Sequence, residues 1–171
     1  MLCPQYRLAT KADAKAVYEL MQHVSAKLED AEQFVCDDYE FVKRHISSEG
    51  FIVLAYVDDK LVGSLIVRFP GNSDDNLGRD VGFDDGLLSQ VVHMESAVVL
   101  EKFRGNDLQY HMISFALSNI SNDCKYIFAT ASPQNLASCK NLHKCQMAIV
   151  MTKEKYGGKL RHIFFREINF E

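Results

Sequence analysis

Residues 91–117 read VVHMESAVVLEKFRGNDLQYHMISFAL, and this stretch decides the fold. Val91 to Val99 is rich in β-branched and apolar residues with polar ones interspersed, which is a strand pattern. From Leu108 to Leu117 the period changes, and Leu108, Met112, Phe115 and Ala116 fall on one helical face. Between the two lies Arg104-Gly105-Asn106-Asp107. A strand that turns tightly into a helix gathers backbone N–H groups at the positive end of the helix, which suits a phosphate or diphosphate. A purely structural reading stands beside this one, because Asn106 or Asp107 is a good N-cap for any helix.

Upstream, Tyr6 to Ala9 reads as a short strand. Thr10 is an N-cap for an amphipathic helix over Lys11 to Leu28, in which Ala14, Val17, Tyr18, Met21, Val24 and Leu28 recur at helical spacing. A second helix is expected over about Asp38 to Ser47, with Phe41, Val42, His45 and Ile46 inward and Gly50 ending it. Phe51 to Val57 and Leu61 to Phe69 read as a hairpin turning at Asp58-Asp59, with Gly63 at a bulge.

The segment Pro70 to Gly86 carries four glycines and five aspartates with one arginine, and cannot hold a regular element for long. Its aspartates, Asp74, Asp75, Asp80, Asp84 and Asp85, suit either a solvated surface loop or attraction of a cationic amine. Downstream, Tyr126 to Thr130 is a fifth strand. Ser132 and Pro133 are expected to open another helix. Gln146 to Thr152 and Arg161 to Ile168 form a closing strand pair that turns at Lys155 to Gly158.

At 171 residues the chain is read as one domain over 1–171, with enough length for a substantial core. Its formal charge of −4 gives no basic footprint for nucleic acid. No apolar run approaches the ~20 residues of a membrane span, and Met1-Leu2-Cys3-Pro4 leads straight into a strand pattern rather than a signal peptide. Five scattered cysteines without a Cys-x-x-Cys pair favour neither a disulfide framework nor a zinc site, so no metal is expected and a reducing cytoplasm is the natural setting.

The stretch around Arg104 resembles motif A of the GNAT acyltransferases, in which the fourth strand runs into a loop of pattern Arg/Gln-x-x-Gly-x-Gly/Ala and then a helix. Arg104 sits at the first position. Asp107 stands where the family has a glycine, and Gln109 stands at the last small position. Gly105 and Leu108 fit the common Arg-Gly-x-Gly-hydrophobic form. The order strand, two helices, hairpin before this stretch also resembles the family. So does Asn135-x-x-Ser138 opening a later helix, which is similar to motif B, Asn-x-x-Ala/Ser-x-x-Leu-Tyr. In that alignment the tyrosine that protonates the leaving thiolate is replaced by Leu142, with His143 next door.

The resemblance implies an α+β fold, an α/β/α sandwich whose mixed, mostly antiparallel sheet has about seven strands and flanking helices. Strands four and five would be parallel and splayed. It implies acetyl-CoA as cosubstrate. The diphosphate would lie on Arg104, Gly105, Asn106, Asp107, Leu108 and Gln109, and the pantetheine arm along the edge of Val98, Val99 and Leu100, with Asn135 and Ser138 beside it. His93 and Glu95 share one face of the strand. His93 falls eleven residues before Arg104, where some members carry a glutamate base, and Glu95 lies nearer the splayed end. The implied reaction is N-acetyl transfer to the amine of a small molecule by direct attack. Three readings stay open: this enzyme, a catalytically inactive coenzyme A sensor or protein-interaction module of the same fold, and a phosphate-binding regulatory domain without coenzyme A. Exposed strand edges make a homodimer common in the class.

Overall fold

The computed structural model describes residues 3–28, 34 and 36–168. Met1 and Leu2, read above as leading into the first strand, lie outside them. Seven strands form one sheet in the order β1-β2-β3-β4-β5-β7-β6. In chain order these are β1 (Gln5–Leu8), β2 (Gly50–Val57), β3 (Lys60–Arg68), β4 (Val91–Val99), β5 (Tyr126–Ala131), β6 (Ala148–Lys155) and β7 (Lys159–Glu167). Among the described residues, only β4 and β5 pair in parallel. The helices are α1 (Ala14–Ala26), α2 (Tyr39–Ser47), α3 (Asp85–Leu88), α4 (Leu108–Leu117) and α5 (Leu136–Lys144). The expected α/β/α sandwich with a mixed seven-stranded sheet is therefore the observed one.

Strand alternation divides the core between two faces. Ile52, Leu54, Ile66 and Val98 pack under α1 and α2 with Val17, Met21 and Val42. Val53, Ala55, Leu65, Val67 and Val92 pack under α4 and α5 with Leu108, Met112 and Leu142. Thr10 and Asp13 set the start of the first helix, through a hydrogen bond of 2.7 Å from the Thr10 N–H to the Asp13 carboxylate. The hairpin turn at Asp58 and Asp59 has φ of 47° and 58°, the left-handed pair that matches strand twist.

Some expected boundaries move. Gly50 does not end α2. It opens β2, and a Cβ there would lie 1.9 Å from the Val67 carbonyl oxygen, so the position tolerates no side chain. Ser132 does not cap α5. Asn135 does, accepting from the Ser138 N–H at 3.0 Å.

The acidic segment before β4 also differs from an open loop. It folds as a 3-10 turn over Leu77–Val81 and the single turn of α3. Leu77, Val81 and Phe83 cover Val91, Phe128 and Ile163 on the sheet. Three of its five aspartates are engaged. Asp75 pairs with Arg68 at 2.7 Å, Asp80 with Lys153 and Lys155 at 2.7 Å each, and Asp84 caps α3. Of the two expected alternatives, neither a solvated surface loop nor attraction of a cationic amine by all five aspartates describes the segment. No helix among the described residues is long and apolar enough to cross a membrane.

Candidate active site

The parallel pair closes only in its first half. Val91 to Met94 lie opposite Tyr126 to Ala129, after which β4 leaves β5. The departure has a local cause. Opposite β3, Ser64 faces Val98 and Ile66 faces Glu95, so Ser96 and Ala97 together oppose the single residue Leu65. This is a β-bulge, with Ser96 at φ 48°. The extra residue shifts the alternation, so that Val98 takes the face toward α1 that Ala97 would otherwise have held. Between the diverging strands lies a cleft of about 720 Å³, reached by β4, β5, α4, α5 and the segment before α2.

At one end of the cleft the turn before α4 forms an amide cradle. Gly105 has φ 79° and Asp107 φ 55°, two left-handed residues that reverse the chain. The N–H groups of Gly105 through Tyr110 have no acceptor among the described residues. The Asp107 side chain turns away from them and meets Lys144 of α5 at 2.7 Å. That hydrogen bond and the charge of Lys144 hold its carboxyl below the usual range. Arg104 braces the turn by donating to the Val99 carbonyl at 3.2 Å, and Asn106 by donating to the carbonyls of Phe103 and Arg104. Leu108 is buried in the core. Gln109 reaches across to α5 and donates to the Ser138 hydroxyl at 3.1 Å, joining it to the cap made by Asn135.

Along the middle of the cleft, one expectation changes. The Leu100 N–H donates to the Val62 carbonyl at 2.8 Å. Main-chain groups alternate sides along a strand, so Val98 and Leu100 both face β3, and their groups are spent within the sheet. The residues whose main chain turns to the opening are Ala97 and Val99, one step out of phase with the expected pair. The bulge sets this phase, and no residue in the sequence marks it.

The other end is charged. His93 is 1% exposed and does not line the cleft. Its Nε2 accepts from the Leu77 N–H at 3.0 Å, and a backbone N–H can only donate, so the proton sits on Nδ1. Nδ1 in turn donates to Glu95 Oε1 at 2.9 Å. With both nitrogens engaged, His93 is no base for a bound substrate; it holds Glu95. Arg68 adds a contact to Glu95 Oε1 at 3.5 Å and a two-pronged pair with Asp75. Burial works to raise the Glu95 carboxyl, but the hydrogen bond from His93 and the charge of Arg68 outweigh it, so it lies below the usual glutamate range.

Two residues that the sequence reading did not place in the site complete this end. Asp37, just before α2, accepts a hydrogen bond from the Ser96 hydroxyl at the bulge. Tyr156, in the β6–β7 turn at φ 51°, brings its hydroxyl to 3.2 Å from Thr130 Oγ1. Neither carries a spacing signal, since Asp37 is 59 residues from Ser96 and Tyr156 is 26 from Thr130. Leu142, at the position of the family tyrosine, is buried in the core. His143 points away, with Nδ1 by the Met147 carbonyl at 3.2 Å.

No protein-family model and no curated protein sequence matches this chain. Solved structures do. Arabidopsis thaliana NAA60 in complex with acetyl-CoA is 12% identical with a TM-score of 0.76, covering 98% of this chain and 100% of that one. An acetyltransferase of the GNAT family from Streptococcus pneumoniae is 14% identical with a TM-score of 0.73, over 97% of this chain and 100% of that one. Aminoglycoside acetyltransferase AAC(6')-Ib in complex with coenzyme A and kanamycin is 16% identical with a TM-score of 0.68, over 96% and 95%. Together with the splayed parallel pair and the bulge that opens it, these likenesses identify the fold of this chain as that of the GNAT acetyltransferases.

Proposed function

We propose that the protein is an acetyl-CoA-dependent N-acetyltransferase acting on the amine of a small-molecule acceptor by direct attack. The observation that carries this reading is the free amide cradle at the start of α4, open onto the gap between β4 and β5, with the Asp107 carboxylate drawn out of it by Lys144. Acetyl-CoA supplies the thioester whose carbonyl carbon the amine attacks. The N–H groups of residues 105–110, at a positive helix end, hold the diphosphate. The main chain of Ala97 and the N–H of Val99, whose carbonyl accepts from Arg104, lie along the pantetheine arm as a neighbouring strand would. Glu95, kept ionised by His93 and Arg68, receives the ammonium of the acceptor. Positioning supplies most of the acceleration in such a reaction. A thiol leaves readily at a pKa of about 8.5, so Leu142 in place of a tyrosine does not stop turnover.

The acceptor is read as a cationic amine because the carboxylates of Asp37 and Glu95 line the cleft. None of the five cysteines, all among the described residues, is joined in a disulfide, which fits a reducing cytoplasm. The exposed edge of β6, with Ile149 40% and Val150 43% exposed, is the surface a homodimer would use. The second reading, a coenzyme A sensor without turnover, is favoured by Leu142. Thermal shift with acetyl-CoA, followed by free-thiol release with a panel of amines, separates them. A shift with turnover supports the enzyme, a shift without turnover supports the sensor, and no shift removes both.

A further inference from the structure

We infer that Asp37 is the residue that takes the proton from the ammonium of the acceptor, while Glu95 binds that ammonium without accepting its proton. The inference rests on the transferase reading above. It starts from the bulge. Ser96 directly follows Glu95, and its left-handed backbone aims its hydroxyl at the segment before α2, where it donates to the Asp37 carboxylate. Asp37, Glu95 and Ser96 line the same cleft, Ser96 links the two carboxylates, and the charge of Glu95 acts on Asp37.

The two carboxylates have opposite surroundings. Glu95 Oε1 is held by His93 Nδ1–H and by Arg68, both of which favour the ionised form and weaken it as a base. Asp37 has one hydroxyl donor. Around it stand Glu95 and Ser96 from β4, Arg68 from β3, and Cys36 and Asp38 on its own segment, with Val24, Phe34 and Phe41 on the apolar side of the cleft. Burial, and then the negative charges of Glu95 and Asp38, raise its carboxyl to about 6 against the opposing hydrogen bond of Ser96 and charge of Arg68. A base is best matched when its pKa approaches the working pH, and here that carboxylate is Asp37.

The step balances. The ammonium gives one proton to Asp37, and the freed lone pair forms the C–N bond to the thioester carbonyl carbon. The C–S bond breaks with its electron pair on sulfur, a second proton passes from nitrogen to sulfur, and Asp37 returns its proton to water. The products are an acetamide and coenzyme A.

The test is the pH profile of kcat/KM, read by thiol release with benzylamine, spermidine and kanamycin as probe amines. For the wild-type protein the acid limb is expected near pH 6. Asp37→Asn is expected to remove that limb and to lower kcat/KM at pH 7 by about 100-fold or more. Ser96→Ala, which takes away a hydrogen bond to the ionised form, moves the limb to higher pH. Glu95→Gln raises KM, keeps the limb and moves it to lower pH, because a neighbouring negative charge is gone. Retention of the limb by Asp37→Asn, or its loss in Glu95→Gln alone, overturns the assignment.

A second readout needs no substrate. A carboxyl whose pKa is raised by folding costs stability as pH rises through its titration. Asp37→Asn is therefore expected to melt above the wild type at pH 8 and level with it at pH 4. An unchanged melting difference across that range overturns the proposal. An acetyl-CoA thermal shift equal in both proteins shows that the fold and cosubstrate site are intact. Wild-type protein that releases no thiol with any of the three amines sinks the transferase reading and this inference with it. Turnover unaltered by Asp37→Asn sinks the Asp37 role alone.

Discussion

Asp107 occupies the place where the resembled motif has a glycine, and its backbone behaves as that glycine would, with φ of 55°. Asp is among the few side chains that visit this region readily. What remains is the charge, and Lys144 at 2.7 Å draws it to the solvent side. Lys144→Ala should free that carboxylate near the amide cradle and weaken acetyl-CoA binding roughly three- to tenfold, whereas Asp107→Gly should leave binding equal or tighter. Titration calorimetry checks both, and tighter binding by Lys144→Ala would contradict the account. His93 gives a second residue-scale outcome. His93→Leu leaves the buried Leu77 N–H without an acceptor and Glu95 without its donor. It should cost about 2–3 kcal/mol in urea unfolding, beyond any loss of activity.

At the scale of elements, two local devices set the helices and strands that carry the site. The start of the first helix is held by Asp13, which accepts from the Thr10 N–H and pairs with Arg7. The hydrogen bond and charge of Arg7 keep its carboxyl well below the usual range. A depressed carboxyl stabilises the fold above its unfolded pKa of about 3.9 and loses that contribution as pH falls toward its folded value. Asp13→Ala should therefore cost about 1 kcal/mol at pH 7, and the deficit should shrink as pH is lowered below about 4. Thermal melts at pH 7 and pH 3 measure the difference, and a deficit that grows at low pH would refute the linkage. At β2, Gly50→Ala drives a methyl against the Val67 carbonyl. It should destabilise by about 3 kcal/mol with little change in acetyl-CoA affinity, since Gly50 lies away from the cleft.

Over the whole molecule, the site exists because two packed layers hold a sheet that is allowed to part at one seam. The α1 and α2 layer and the α4 and α5 layer each take one face of the sheet, and neither closes the gap beyond Met94. A ligand that bridges the gap links β4, α4 and α5 and should stabilise the entire cooperative unit. Acetyl-CoA at about 100 times its Kd should add about 2.7 kcal/mol, a rise in Tm of roughly 5–10 °C for a chain of this size. Differential scanning calorimetry reads this directly. The same rise with ATP alone would assign the site to nucleotide phosphates rather than to the pantetheine arm.

Strand and helix periods, the Asp58-Asp59 turn and the Arg104-Gly105 join were legible in the residues, because each depends on neighbours a few positions apart. Those features carried the layer architecture and the cradle. The sequence did not show which main-chain groups face the cleft, that His93 would be locked between Leu77 and Glu95, or that Asp37 and Tyr156 would join the site. Only the tertiary structure decided these. A single extra residue at Ser96 reverses the phase of the strand, and the partners of His93, Asp37 and Tyr156 lie on other segments brought together by packing.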